Sequence, residues 1–363
     1  MRLVVVGDTV LTRKPNEDPA GRSALPLLAD GDVTIANLET PLTDSEHPAE
    51  KEFTVRAPTE AARHLREIGV DVVSLANNHA LDQGTEGLIS TISSLDRAGV
   101  RHAGGGAALA EADAGVVVET SDGSRVTILS FCSTLPPGAN ATSVRPGIAP
   151  IRVDQSFAID GAMALEQPGT PPYIRTVAQE ADVERAEERI RAAKASSDRV
   201  VACIHWGVPW PYLPENQGPL AEYQQPLGRR LVDAGADVVA GTHPHCMHPV
   251  ERWHDGLIIY SAGNFLFHTD NIGSPEVFFG LPYQASRLFS GPWFESAVFV
   301  VDLEDGSAPS LRITPITLDS SGEPLAAEPD AAARTLRLIE KYSQEIDPTV
   351  RVTPDGALVF QET

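Results

Sequence analysis

The chain has 363 residues and a net charge of −22, with 42% hydrophobic and 21% charged residues. This length allows one large α/β domain or two smaller ones, with a sizeable hydrophobic core. The negative charge disfavours nucleic acid and anionic membranes as main partners, because both would repel the protein.

The start of the chain and its cysteines indicate a compartment. The N-terminal apolar run ends at Gly7 and Asp8, too early for a signal sequence, and no segment approaches the ~20 apolar residues of a membrane-spanning helix. The cysteines Cys132, Cys203 and Cys246 are scattered and fit reduced thiols. We interpret Cys246 as a small buried residue; its histidine neighbours leave a reactive thiol as the alternative. The sequence predicts a soluble, cytoplasmic protein.

Short apolar runs alternate with amphipathic segments along the chain. The runs predict strands at residues 2–7, 33–37, 70–76, 126–131, 199–205, 236–241 and 256–261. The amphipathic segments predict helices at residues 59–69, 84–99, 176–195 and 223–235. This alternation predicts a layered α/β domain with its functional residues on loops after the strands.

The rest of the chain is assigned to the same domain, residues 1–363. Residues 135–172 are rich in Pro, Gly and Ala and weakly periodic, which predicts a loop or cap insertion, partly ordered over the site. Residues 304–363 contain one strand pattern and one helix pattern and are expected to close the domain.

Polar residues follow the ends of most of the predicted strands. They are Asp8, Asn37, Glu39, Asn77, Asn78, His79, Asp82, His205, His243, His245 and Asn264. One histidine at a strand end is usually a satisfied polar residue, but several strands contribute here and their ends meet at one edge of a sheet. Imidazole, carboxylate and amide groups are ligands of divalent metals, so the pattern predicts a metal site.

Six motifs in this order resemble the CapA family, named for poly-γ-glutamate capsule synthesis and similar to calcineurin-like metallophosphatases. They are "GDTVL", "NLETPLT", "SLANNHALDQG", "HWG", "GTHPHCMHPVE" and "YSAGNFLF". The resemblance implies the calcineurin-like four-layer α/β fold, a β-sandwich flanked by helices, with a metal centre at the strand ends.

The resemblance also implies which residues bind metal. Its metallophosphatase pattern assigns one metal pocket to Glu39, Asn78, His205 and His243, and makes His79 the residue that faces the substrate. The family's Asp-x-His motif is Asp8-Thr9-Val10 here, so the second pocket keeps only Asp8 and His245. One divalent ion is therefore expected rather than two, and Mn²⁺, Zn²⁺ and Ca²⁺ all remain open.

Without a second metal, two carboxylate–imidazole pairs would flank the first. Asp8 with His245, and His79 with Asp82, would suit removal of a proton from one face of a carbon and its return to the other. Asp82 has an equally good alternative role, which is to cap the helix that starts near Gly84.

Three functions follow, in order of preference. The first is a metal-dependent peptide epimerase, since the soluble branch of the family resembles lasso-peptide epimerases that invert the C-terminal residue of a precursor peptide. The second is a hydrolase of a phosphoester or amide, and the third a non-catalytic binder in capsule assembly. Aromatic residues could wall a peptide side chain, although packing is their more common use, and an arginine could hold its carboxylate. The candidates are Trp206, Trp210, Tyr212, Trp293, Arg56, Arg145 and Arg287. The substrate sequence and oligomeric state stay open.

Overall fold

The structure is a computed structural model that describes residues 1–16, 21–51, 53–208, 220–269 and 291–360. The strands within these ranges are β1 Arg2–Val10, β2 Val33–Leu38, β3 Val72–Ser74, β4 Arg101–Ala103, β5 Gly105–Gly106, β6 Val116–Glu119, β7 Arg125–Cys132, β8 Gly147–Ile148, β9 Val153–Ala158, β10 Tyr173–Ala178, β11 Arg199–His205, β12 Val238–Thr242, β13 Val250–Trp253, β14 Gly256–Ile259, β15 Asn264–Phe267, β16 Glu295–Asp302, β17 Ser310–Leu318, β18 Pro324–Ala326, β19 Val350–Val352 and β20 Leu358–Phe360. The α-helices are α1 Ala61–Glu67, α2 Gly84–Ala98, α3 Leu109–Ala112, α4 Gly161–Glu166, α5 Glu180–Lys194, α6 Gln224–Asp233 and α7 Pro329–Gln344, and short 3-10 helices span Leu25–Asp30 and Gly291–Trp293.

Two sheets form the centre of the molecule. The first has the strand order β18-β17-β16-β1-β2-β3-β4, and β15 pairs with the C-terminal part of β1. The second has the order β13-β14-β12-β11-β7-β6, with its central strands parallel. Since parallel strands end on the same side, each sheet brings several strand ends to one edge.

Side-chain alternation along the strands builds the layers. Leu3 and Val5 of β1 face a core between the sheets, which also receives Val201 of β11. Val4 belongs to a second core, under α1 and α2, while Val200 belongs to a third, under α5 and α6. Successive strand residues point to opposite faces, so strands buried on both sides give a helix–sheet–sheet–helix sandwich. The predicted fold class is confirmed.

The predicted elements differ from the observed ones mainly at their ends. The segment 176–195 begins as strand, because Tyr173–Ala178 pairs with β9, and its helix starts only at Glu180. In the segment 135–172, the first part packs at Ala139 and Ile148 beside the Asn77–His79 loop. The rest contains β9 and α4, whose residues are largely exposed. The cap and single-domain assignments stay predictions.

The C-terminal segment closes the core between the sheets. Leu336 and Ile339 of α7 lie in that core, together with Val350 and Leu358 from the strand pair β19–β20. In the described residues, no helix combines the length and apolar character needed to cross a bilayer.

Strand β1 changes partners on one side halfway along its length. Its first residues pair with β16, whereas Asp8 and the residues after it pair with β15. At the changeover the Gly7 backbone approaches Gly263 so closely that a Cβ on Gly7 would lie 1.9 Å from the Gly263 carbonyl oxygen. Glycine is therefore required where Asp8 is brought beside β15.

We expect Gly7→Ala to lower the free energy of unfolding by about 3 kcal/mol, because the new methyl group cannot fit without moving backbone. Gly161→Ala is the matched control: a Cβ there meets nothing within 4 Å, and the change should be under about 1 kcal/mol. Urea unfolding of both variants measures the difference, and equal losses would contradict the steric explanation.

Candidate metal centre

The site lies where strands of the two sheets end. In the first sheet, Asp8 of β1 is in register with Asn37 of β2 on one side and with Asn264 of β15 on the other. In the second sheet, His205 of β11 is in register with Thr242 of β12. An Asn37 Nδ2 to His205 Nδ1 distance of 3.3 Å joins the two edges.

Glu39 follows β2 and is fully buried. Neither of its carboxylate oxygens makes a hydrogen bond to a described residue, although His205 Nε2 lies 3.3 Å from Oε1. A buried carboxylate without donors is costly unless a cation compensates it. Glu39 is thus the residue of the cluster that a bound metal ion would stabilise most.

Further ligand atoms gather around His205 Nε2. Asn78 Oδ1 lies 2.8 Å and His243 Nδ1 3.1 Å from it. Adjacent ligands of an ion bound at ~2.1 Å are about 3 Å apart, so these spacings match a coordination shell. Glu39, Asn78, His205 and His243 therefore fit one divalent ion. Their mixed nitrogen and oxygen ligands leave Mn²⁺ and Zn²⁺ open, whereas the two imidazoles make Ca²⁺, which prefers oxygen ligands, the least suited of the three.

The surroundings shift the pKa values of two histidines of the cluster in opposite directions. Burial, followed by the neighbouring imidazoles of His205 and His245, lowers the pKa of His243, which favours the neutral form that binds metal. Burial would also lower the pKa of His245, but the carboxylates of Glu39 and Asp8 outweigh it and raise this pKa to about 9. Burial would raise the pKa of Glu39, yet the His245 and His205 imidazoles keep it lowered.

Asp8 differs from Glu39, since protein donors reach both of its oxygens. Asn37 Nδ2 donates to Oδ1 at 2.7 Å, and the His243 backbone N–H donates to Oδ2 at 3.1 Å. His245 Nδ1 also lies 3.2 Å from Oδ2. Val10, at the position of the missing family histidine, packs in an apolar cluster with Phe267, Trp293 and Leu318.

Two overlapping triads each place their ligand atoms within 4.8 Å: Glu39, His243 and His245, and Asp8, Glu39 and His205. The first would give the ion His245 as a ligand, and the second would give it Asp8. Glu39 belongs to both, and the donors already on Asp8 favour a single ion on the Glu39 side.

The loop after β12 is held in an unusual conformation. His243 and His245 have φ angles of 101° and 55°, a region that residues other than glycine rarely adopt. Asp8 fixes this loop through the His243 N–H, and Asn264 Oδ1 accepts from His245 Nδ1 at 2.8 Å. Such strain persists only where surrounding contacts impose it, and it is commonly found at functional sites.

His79 and Asp82 form a second pair on the loop after β3. His79 Nδ1 lies 2.6 Å from Asp82 Oδ2, which also accepts from the Val55 N–H at 2.8 Å. Helix α2 begins at Gly84 with Gln83 as its N-cap and without a side-chain cap. Of the two roles open for Asp82, the structure shows the pair with His79.

The two histidines outside the predicted metal set are placed alike relative to Glu39. His79 Nε2 and His245 Nε2 each lie 4.0 Å from Glu39 Oε1. Each carries a carboxylate near its other nitrogen, from Asp82 and Asp8 respectively. The Trp293 ring also lies against His245, with the ring centroids 4.4 Å apart and the ring planes tilted by 33°.

All eight predicted site residues lie in this one connected cluster: Asp8, Glu39, Asn78, His79, Asp82, His205, His243 and His245. Their division into metal ligands and catalytic residues stays a prediction. No role was predicted for Lys51, which bonds Asp82, or for Thr242, whose hydroxyl lies 2.9 Å from His205 Nδ1. Position next to a site residue could have suggested Thr242; no local pattern marks Lys51.

The proposed substrate contacts are only partly described. Trp206 is buried, stacks on Tyr260 and donates to its carbonyl oxygen, so it packs the core rather than walling a substrate. Arg56 pairs with Glu46, and Arg145 with the Asn140 carbonyl. Trp210, Tyr212 and Arg287 lie outside the described residues. Cys246 is buried, and burial raises its pKa to about 12, as expected for an unreactive thiol.

Comparison with known proteins shows one family. The family model "Bacterial capsule synthesis protein PGA_cap" matches residues 2–269. The capsule biosynthesis protein CapA of Bacillus anthracis is 28% identical over 74% of this chain and 60% of its own length. A probable polyglutamine synthesis accessory protein of Mycobacterium tuberculosis is 29% identical over 90% of this chain and 76% of its own. An uncharacterised protein of Sinorhizobium fredii is 28% identical over 96% of this chain and 92% of its own.

We expect the protein to bind one divalent ion per chain and Glu39→Gln to weaken this binding at least about 100-fold, because the variant loses a charged ligand. Isothermal titration with Mn²⁺ and Zn²⁺, with elemental analysis, measures both. Glu251→Gln is the control: Glu251 is also buried but bonds Tyr260 and Arg229, so metal content should not change. Two ions per chain would contradict the interpretation that the donors on Asp8 favour a single ion beside Glu39.

His248, three residues after His245, is buried with neither ring nitrogen bonded to a described residue. Burial lowers its pKa to about 4, below the ~6.5 of an unfolded chain. Its neutral form therefore contributes full stability above pH ~6.5, and this contribution is lost as the pH falls toward 4.

We expect His248→Leu to reduce the loss of unfolding free energy between pH 7 and pH 4 by roughly 3 kcal/mol. Urea unfolding at both pH values measures it. His47→Leu, at a histidine whose side chain is 79% exposed, should leave the acid sensitivity as it is; an equal gain in both variants would refute the assignment to His248.

Proposed function

Because the chain belongs to the bacterial capsule synthesis family PGA_cap, we propose that the cluster around Glu39 is the catalytic centre of a metal-dependent enzyme of metallophosphatase-like fold. Two observations support this proposal: neither oxygen of the buried Glu39 carboxylate makes a hydrogen bond to a described residue, and the ligand atoms of Asn78 and His243 lie 2.8 Å and 3.1 Å from His205 Nε2. A divalent ion held by Glu39, Asn78, His205 and His243 would supply a Lewis acid for a carbonyl or carboxylate oxygen of the substrate.

The reaction that the geometry supports best is proton transfer at a carbon next to that carbonyl, which makes the protein a peptide epimerase. One imidazole accepts the proton as the Cα–H bond breaks, and the other donates a proton as a Cα–H bond forms on the opposite face. Substrate and product have the same atoms, and the two imidazoles exchange protonation states. Asp82 and Asp8 orient these imidazoles and stabilise their charged forms.

The single observation that carries this proposal is the matched placement of the two imidazoles. His79 Nε2 and His245 Nε2 are both 4.0 Å from Glu39 Oε1, so two supported acid/base groups lie next to the same metal ligand. A peptide with a free C-terminal carboxylate is the proposed substrate class. The lasso-type precursor and the cytoplasmic location remain proposals that rest on the sequence.

Hydrolysis of an amide is the second candidate, because His79 is also suited to protonate a leaving group. Its side chain keeps 12% exposure, whereas its partner Asp82 is 1% exposed, so a substrate can reach the imidazole and not the carboxylate. Phosphoester hydrolysis is less well supported, since Val10 stands where the family's second-ion histidine would be and packs in an apolar cluster instead.

The deciding experiment incubates metal-loaded protein in D₂O with free-C-terminus peptides, including tryptophan-ended precursors, followed by mass spectrometry and chiral analysis. Epimerisation predicts deuterium at one Cα and a D-residue without cleavage. Cleavage without Cα exchange would establish the hydrolase. If peptides, phosphoesters and amides all stay unchanged, the epimerase and the hydrolase are both rejected, and the non-catalytic binder in capsule assembly is left.

We expect His79→Ala to abolish turnover, by at least about 100-fold as for loss of an acid/base group, while the bound metal stays at one ion per chain. Elemental analysis and the D₂O assay measure the two effects. His254→Ala, at an exposed histidine bonded to Asp233, is the control and should retain activity. Loss of metal from the His79 variant would mean that His79 is itself a ligand.

A further inference from the structure

The connection between β2 and α1 crosses the site next to His79. We call its residues 45–51 and 53–56 the strap. Its Ala49 N–H donates to the Asp82 carbonyl oxygen at 2.8 Å, and its Val55 N–H donates to Asp82 Oδ2 at 2.8 Å. The Phe53 ring meets the His79 ring edge-on, with centroids 5.3 Å apart.

Lys51 makes the contacts that link this strap to both halves of the site. Its ammonium group donates to Asp82 Oδ1 and, at 2.9 Å, to the Asn78 carbonyl oxygen. Asp82 holds the acid/base residue His79, and Asn78 carries the side-chain oxygen that faces His205. One ammonium group therefore bonds both the residue that precedes His79 in the chain, Asn78, and the residue that pairs with its imidazole, Asp82.

We infer that Lys51 is a positioning residue, which fixes the His79 imidazole relative to the metal ligand Asn78 by bonding Asp82 and the Asn78 carbonyl at once. The inference rests on the proposed function for its catalytic consequence, and on the contacts alone for its structural part. Asp82 is 1% exposed, whereas Lys51 keeps 25% of its side chain exposed, so the carboxylate depends on the ammonium group more than the reverse.

The alternative is an ordinary ion pair that only stabilises the fold. Lys194 offers a matched example, because its ammonium group lies 2.8 Å from both oxygens of Asp237, which precedes β12 and so lies at the opposite end of that strand from His243. Removing either lysine removes one Lys–Asp pair. Only the Lys51 substitution should change the position of the His79 imidazole.

The test compares Lys51→Met, Lys51→Arg and Lys194→Met in the full chain loaded with Mn²⁺ for activity and with diamagnetic Zn²⁺ for NMR. The proton between His79 Nδ1 and Asp82 should give a far-downfield resonance, identified by its absence from His79→Gln. We expect Lys51→Met to lose or shift this resonance, Lys194→Met to keep it, and Lys51→Arg to restore it in part. In the D₂O assay, kcat of Lys51→Met should fall about 100-fold with KM little changed, the effect of a misplaced catalytic group.

An unchanged resonance in Lys51→Met, or equal losses of kcat in the two methionine variants, would overturn the inference. If Lys51→Met does not fold, Lys51→Gln and Lys51→Arg replace it, and a resonance in Lys51→Gln like that of the wild type would overturn it equally. A resonance that depends on Lys51 in a protein without Cα exchange would reject the epimerase and keep the positioning role.

Discussion

A fully buried carboxylate must be compensated by positive charge, and Glu39 imposes that condition on this fold. Its nearest polar neighbours are imidazoles, with His205 Nε2 3.3 Å from Oε1, and these imidazoles lower the pKa of the carboxyl against the effect of burial. Three of the histidines around it, His205, His243 and His245, come from β11 and the loop after β12 of the second sheet, whereas His79 comes from the loop after β3 of the first. Compensating Glu39 therefore requires the two sheets to end at the same place. The layered architecture and the candidate metal site thus have one geometric origin.

Asp8 shows how the same functional group takes a different role a short distance away. Three donors surround its two oxygens, and they come from β2 and the loop after β12. The carboxylate is therefore a cross-link between the sheets and holds the strained His243 backbone in place. Asp8 already has donors on both oxygens, whereas no described residue hydrogen-bonds Glu39, so Glu39 gains more from a metal ion.

Much of this arrangement could be predicted because it follows from strand ends. The run Arg199–His205 alternates between two cores and forms β11 over its full predicted length, which placed His205 correctly. Trp206 packs in the core, which is the more common use of such aromatic residues; the apolar–polar boundary alone does not say which face the residue after His205 meets. Two roles were open for Asp82, pairing with His79 or capping α2. Its contacts with the strap could not be predicted, because the strap has no periodic sequence pattern. Lys51 was missed for the same reason, because its partners are set by tertiary contacts.

The ring of Trp293 lies 4.4 Å from the ring of His245, and its backbone carbonyl accepts from Asn264. Indole emission responds to charge next to the ring, so the part of the emission that comes from Trp293, one of four tryptophans, reports on the charge of His245. A change in that charge on metal binding can therefore be followed in unlabelled protein, independently of any knowledge of the substrate.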